Sequence, residues 1–274
     1  MDTVEPVARS VRRPARPAVL AGALLVALAV IVTLVLTTDD GHHGGPPGPA
    51  GLGLGARGFA AGPGDPTATG FRADDTDLVV LDGVSGRIQV TADPDAHTVT
   101  GGFRRADGVP ALIRSTATPS PGTDGARVLT LACGDPDGAG IPCAGDLTLT
   151  VPEHTGLRLR QTSGETVLTG IGGELTVAVA SDRFTAQGLH PSRADVTLTS
   201  GSADLGFTDP PEALTVRATS AAMTLRLPAA AGDGYAVTTA ATSADVRIQV
   251  PRRADAPHRV SLQVLSGSLA LLPA

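Results

Sequence analysis

Between residues 157 and 271 apolar and polar positions alternate, and the alternation is broken at intervals of 18–23 residues by a small turn. The turns are centred on Ser163, Ser181, Ser200, Ser220, Ser243 and Ser266. Counting from each serine gives aligned columns. Six residues before it stand Leu157, Leu175, Ala194, Leu214, Val237 and Val260, and four before it Leu159, Val177, Val196, Val216, Thr239 and Leu262. Three after it stand Thr166, Phe184, Ala203, Met223, Val246 and Leu269, and five after it Leu168, Ala186, Leu205, Leu225, Ile248 and Leu271. Period-2 alternation on both sides of a tight turn predicts two strand arms per repeat, each with one apolar face. A one-residue slip would turn every apolar column outward, so the register is strongly specified.

A degenerate copy opens the domain as Val79-x-Leu81, Val84-Ser85-Gly86 and Ile88-x-Val90. Strand-like pieces from Thr98 to Arg104, Arg127 to Ala132 and Leu147 to Val151 lie between it and the main array. Self-similarity at this period predicts an all-β, repeat-built stack, β-helix or solenoid-like, in which each repeat covers the apolar face of the next. A β-sandwich of hairpins is the alternative, because periodicity does not distinguish parallel stacking from antiparallel pairing.

The run Leu147-Thr-Leu-Thr-Val-Pro152 leads into Leu157-Arg-Leu-Arg-Gln-Thr-Ser-Gly164 and then into the repeated turns. In this the chain resembles the bacterial putative-adhesin domain of the toast-rack type, a repetitive β-domain of the cell envelope whose function is unknown. The resemblance covers roughly Asp77 to Ala274. It implies a β-helix-like architecture and an envelope location, and brings no catalytic residues with it. Asp182, Ala221 and Ala244 stand where the other turns have glycine, which predicts a differently shaped turn in those three copies.

Upstream, Ala18 to Leu36 is a run of 19 residues with no charge and with Thr33 as its one polar residue. At about 1.5 Å per residue it nearly matches a hydrocarbon core of roughly 30 Å. The run exceeds a signal-peptide core, and Thr37-Thr38-Asp39-Asp40 is a poor cleavage site, so a retained anchor is expected. Arg9, Arg12, Arg13 and Arg16 precede it and Asp39 and Asp40 follow, which places the N-terminus in the cytoplasm and the rest outside. The expected organisation is a cytoplasmic tail (1–17), a transmembrane helix (18–38), a Gly/Pro-rich linker (39–76) and the repeat domain (77–274).

The formal net charge is −6, and the tail contributes +4 and −2, which leaves −8 on the remainder. An acidic ectodomain without a basic stripe is a poor nucleic-acid binder. Aromatic residues make up 2%, and Tyr235 is the single tyrosine, which argues against stacking sites for sugars or bases.

Cys133 and Cys143 are the only cysteines, ten apart, and outside the cytoplasm an even count reads as a disulfide. Between and beside them, Asp135, Asp137, Gly140 and Asp146 loosely resemble a calcium loop, but Ala139 and Pro142 break the pattern. His42 and His43 lie in the linker. His97, His154, His190 and His258 fall at turns or strand ends, outside any nucleophile motif. The segment Gly170 to Gly173 lacks the lysine and strand-to-helix context of a phosphate loop. No catalytic, cofactor or metal site is therefore assigned.

The sequence thus points to a non-enzymatic, membrane-tethered binding, adhesion or scaffold module of the cell envelope. Its partner would be an unknown envelope protein or surface ligand. A sensory or regulatory accessory to a membrane signalling protein is the second reading, and an extracytoplasmic hydrolase the third. The final repeat runs nearly to Ala274, so Leu269, Leu271 and Leu272 are expected to form an interaction edge open to self-association, unless the inserted strands or the linker cover it.

Overall fold

The computed structural model describes residues 68–106, 113–114, 117–119, 127–133, 143–230, 232 and 234–274. The tail, the apolar run and the linker as far as residue 67 lie outside them. Among the described residues every regular element is a strand, and no helix is long and apolar enough to cross a membrane.

Fourteen strands join into one mixed sheet. The main array is β9 (Gly156–Thr169), β10 (Leu175–Leu189), β11 (Arg193–Phe207), β12 (Ala213–Leu227), β13 (Ala236–Ile248) and β14 (Arg259–Pro273), each strand holding both arms and the turn of one repeat. Neighbouring repeats pair parallel, with serine opposite serine: Ser163 with Ser181, Ser181 with Ser200, Ser200 with Ser220, and Ser220 with Ser266. Hairpin pairing between repeats does not occur in this array.

The columns explain the packing. Leu159, Val177, Val196, Val216 and Leu262 form a buried file on the first arm, and Leu168, Ala186, Leu205, Leu225 and Leu271 a second file past the turn. Parallel neighbours lie about 4.8 Å apart, so each side chain in a file touches its equivalents above and below. Thr166, fully buried in the second arm, is the polar exception; its hydroxyl donates to Gln161 Oε1 at 2.5 Å.

The inserted strands extend this stack at one end. β2 (Leu78–Asp82) and β3 (Val84–Asp93) form one repeat against the two arms of β9. Outside them, β7 (Arg127–Cys133) pairs with β2, and β8 (Cys143–Pro152) with β3. β7 and β8 together are therefore another repeat, interrupted at its turn by residues 134–142. Three antiparallel strands then cover this end: β4 (Thr98–Arg105) on β8, and β5 (Ile113–Arg114) and β6 (Ala117–Pro119) on β7. β1 (Ala68–Asp74) covers β4 in turn.

Two expectations are corrected. Residues 68–74 belong to the sheet, not to the linker: Phe71 is buried, and all seven residues pair with β4. A single aromatic in a short strand gave too little periodicity to separate it from the Gly/Pro-rich stretch before it. The second correction concerns order. β14 inserts between β12 and β13, so the last strand in sequence is not the last in the sheet.

Candidate functional site

The displaced order of β13 and β14 relocates the expected interaction edge. Leu269 and Leu271 are buried with β12 on one side and β13 on the other, and Leu272 pairs with Arg226 of β12. The edge lies one strand further out, on β13. There Val237, Val246 and Ile248 are half-buried against the core and Thr239 is exposed, whereas the equivalent column residues of the other five repeats are all buried. Thr239 is the one signal in the sequence that marked this strand as terminal, since a polar residue in an apolar column fits where water reaches it. The inserted strands expected to cover the edge lie at the opposite end of the stack.

The turns form a second feature. Gly201 and Gly267 adopt positive φ (105° and 97°), whereas Asp182, Ala221 and Ala244 do not. From β10 outward the two kinds alternate in the sheet: Asp182, Gly201, Ala221, Gly267, Ala244. The serines record the same alternation. Ser200 Oγ donates to the Ala180 carbonyl at 2.9 Å and lies 2.7 Å from Ser181 Oγ. Ser266 Oγ donates to the Thr219 carbonyl at 2.7 Å and lies 3.0 Å from Ser220 Oγ. A hydroxyl carries one hydrogen, so Ser181 and Ser220 are the donors to their partner serines. The turns of β10 and β12 are thus each clasped by the glycine-type turn that follows.

Just past the turns, on the outer surface of the second arm, a shallow open groove of 590 Å³ crosses β10, β11, β12, β14 and β13. Its floor is a column of small exposed side chains, Ser202, Ala222 and Ser268, with Arg183 at one end and Asp245 at the other. Four strand spacings separate those two charges, roughly 19 Å. Beside the groove Arg226 bonds Asp204, and on the first arm Arg217 grips Asp195 with both contacts at 3.0 Å. These exposed pairs contribute little to stability, but they hold the outer surface in a fixed pattern.

One buried polar cluster was not legible in the sequence. Gln161 donates to the Gly86 and Ser163 carbonyls, each at 3.0 Å, and receives the Thr166 hydroxyl. Asp182 lies beside this group at 5% exposure, with the Thr166 hydroxyl and the Arg183 amide near its carboxyl but outside good hydrogen-bond geometry. Burial raises its pKa above the usual carboxylate range; the Thr166 hydroxyl and Arg183 amide offset part of that rise, and nearby Glu165 adds to it.

The histidines do not converge. His97 and His154 are exposed. His190 Nδ1 meets the Gly188 carbonyl at 3.1 Å, and its Nε2 lies 2.9 Å from Glu153 Oε1 without hydrogen-bond geometry. His258 Nδ1 meets the Pro211 carbonyl at 3.0 Å, and its ring packs against Tyr235. The Tyr235 hydroxyl donates to the Pro228 carbonyl at 2.7 Å, and burial pushes its pKa up to about 12. Among the described residues no group of His, Cys, Asp and Glu is placed to hold a metal.

For the cysteines the structure describes the backbone alone. Ala132 stands opposite Asp82 and Cys143 opposite Val84, so Cys133 and Cys143 mark the two stems of the loop that replaces a turn. The loop itself, with Asp135, Asp137 and Gly140, lies outside the described residues, as do His42 and His43.

No family model matches the chain, and no curated protein matches it. Two solved structures are similar to it. One is a putative cell adhesion protein from Clostridium sporogenes, 8% identical, with a TM-score of 0.44 over 74% of this chain and 94% of that one. The other is a putative adhesin from Bacteroides fragilis, 14% identical, with a TM-score of 0.38 over 75% of this chain and 96% of that one. Both carry the description that the Val-Pro lead-in and the repeated turns suggested. At these TM-scores the likeness supplies no argument about function.

Proposed function

We propose that this chain is a non-enzymatic binding module of the bacterial cell envelope, a solenoid-like stack tethered to the plasma membrane by Ala18–Leu36 with its N-terminus in the cytoplasm. The groove over β10–β13 carries the reading. It is long, shallow and open, and five consecutive strands build it from a repeating backbone with small side chains on the floor. Small-molecule sites are usually concave and enclose most of their ligand. A trough of this shape suits an extended macromolecule that lies along the stack and touches several repeats at once. Adhesion and scaffolding both follow from such a surface, and the membrane run supplies the attachment.

The experiment is retention of envelope fractions by the full chain immobilised in detergent micelles. Ala222→Arg places a long charged side chain on the groove floor without entering the core and should abolish retention. Thr176→Arg, half-exposed on the first arm, should leave it unchanged. Equal retention by both variants would show that the groove is not the binding surface.

A further inference from the structure

The alternation of turns shows what the molecule lacks at its outer edge. A Cβ on Gly201 would stand 2.2 Å from the Asp182 carbonyl oxygen, and one on Gly267 would stand 2.2 Å from the Ala221 oxygen. The carbonyls of Asp182 and Ala221 therefore project toward the strand that follows, and that strand answers with glycine. The serine before the glycine then donates to the carbonyl that precedes the first turn's own serine. Among the described residues the fold makes this step with its serine bond twice, from β10 to β11 and from β12 to β14, and Gly86 on Gly145 and Gly164 on Gly86 repeat the close approach of backbone without the serine bond. β13 has the alanine-type turn, Thr242-Ser243-Ala244, and is the last strand of the sheet among the described residues. The stack stops halfway through its own two-strand period.

The edge beyond Tyr235 matches; at Tyr235 itself the outward amide and carbonyl already bond Pro251 and Arg253, so the open edge begins at Val237. The Ala236 amide donates to the His258 carbonyl at 2.8 Å, so in this arm the even-numbered amides face β14. Those of Val237, Thr239 and Ala241 face outward. The first arm and turn, Ala236 to Ala244, carry no charge and no proline, the usual devices by which an edge is protected; the second arm carries Asp245 and Arg247 on its exposed face. The other end of the stack is covered by antiparallel strands.

We propose that the outer edge of β13 is a strand-acceptor site, which takes in parallel an extended segment of another polypeptide bearing a serine or threonine followed by glycine at the turn. The two internal steps define the occupant, because the edge continues the same interface. A second copy offers its two sheet ends: β13, whose turn has Ala244 where glycine is required, and β1, whose seven residues are too few to span both arms and the turn. The chain's own segments outside the described residues contain no Ser-Gly or Thr-Gly pair. Apolar residues six and four before the hydroxyl residue, and three and five after it, would extend the two buried files over Val237 and Ile248.

The probe is a labelled peptide of the β11 sequence, Arg193–Phe207, a strand that fills this step inside the fold, added to the full chain in detergent micelles. It should bind, and hydrogen exchange at Val237, Thr239 and Ala241 should slow on binding. A peptide carrying Gly201→Val should bind about tenfold more weakly or worse, which leaves the protein itself untouched. In the protein, Thr239→Pro removes one outward amide and no bond to β14, and should weaken binding by a similar factor without lowering the melting temperature. Four results would overturn the proposal: no binding, equal affinity for the two peptides, edge amides already protected in the free chain, or a concentration-dependent dimer that Thr239→Pro abolishes. Ala222→Arg, which blocks the groove, should not affect the peptide, so the two surfaces fail separately.

Discussion

Gly201 passes so close to Asp182 that the backbone of one turn occupies the space where the other's side chain would begin. Gly201 also sits at φ 105°, where an L side chain is strained. Gly201→Ala should therefore cost about 2–4 kcal/mol, strain and overpacking together. Ala221→Gly, at a turn with ordinary backbone, should cost no more than about 1 kcal/mol. Thermal unfolding of the two variants measures the difference. Similar melting temperatures would mean that the two turns are interchangeable.

Asp182 makes stability depend on pH. Its folded-state pKa is raised above the unfolded value of 3.8, so the folded chain binds the proton more tightly. The stability this contributes is fully present below pH 3.8 and is lost as pH rises through the raised value. Burial makes the charged form of this carboxyl the costlier one, so the penalty it imposes on the folded chain grows as pH rises. Asp182→Ala reproduces the residue found at the turns of β12 and β13. It should raise the melting temperature at pH 7 by several degrees and shrink that gain toward acid pH. A gain that stayed constant with pH would remove the carboxyl from the explanation.

The columns predict a position-dependent response to charge. Val177→Asp buries an unpaired carboxylate in the middle of a file and should strongly destabilise the domain. Thr239→Asp makes a comparable change in the same column but on the exposed edge strand, and should be mild. Thr197→Asp, outward-facing and opposite Arg217, should also be mild. If Thr239→Asp unfolds the chain as readily as Val177→Asp, the edge is covered in solution.

The columns were legible because a buried file tolerates few residue types, and the fold repeats the file six times. Leu157, Val177 and Leu205 announce their burial by spacing alone. What spacing does not encode is the order in which equivalent strands stack. β13 and β14 share nearly the same pattern, and the difference between an inner and an outer place rests on residues such as Thr239. The interrupted repeat of β7 and β8 was hidden for a related reason: its two arms lie on either side of an inserted loop, so the counting interval is lost. Asp182 was visible as a departure from the turn pattern, but its burial follows from a side chain turned inward at that turn, which the sequence does not express.

The cysteines gain meaning from that interrupted repeat. Their backbones sit at the two ends of a turn position, opposite Asp82 and Val84 at most one residue away, with the loop of residues 134–142 between them. In the main array the two arms run through the turn as one continuous strand; here a longer loop must join them. A disulfide between Cys133 and Cys143 would restore the closure, and a loop this short corresponds to about 3 kcal/mol in the chain-entropy account. Thiol labelling of exported full-length protein under non-reducing conditions should find both cysteines blocked. Replacing both with serine should lower the melting temperature while the rest of the stack, which has its own buried files, stays folded. Two thiols that alkylate freely in folded protein would show that the arms close without a covalent link.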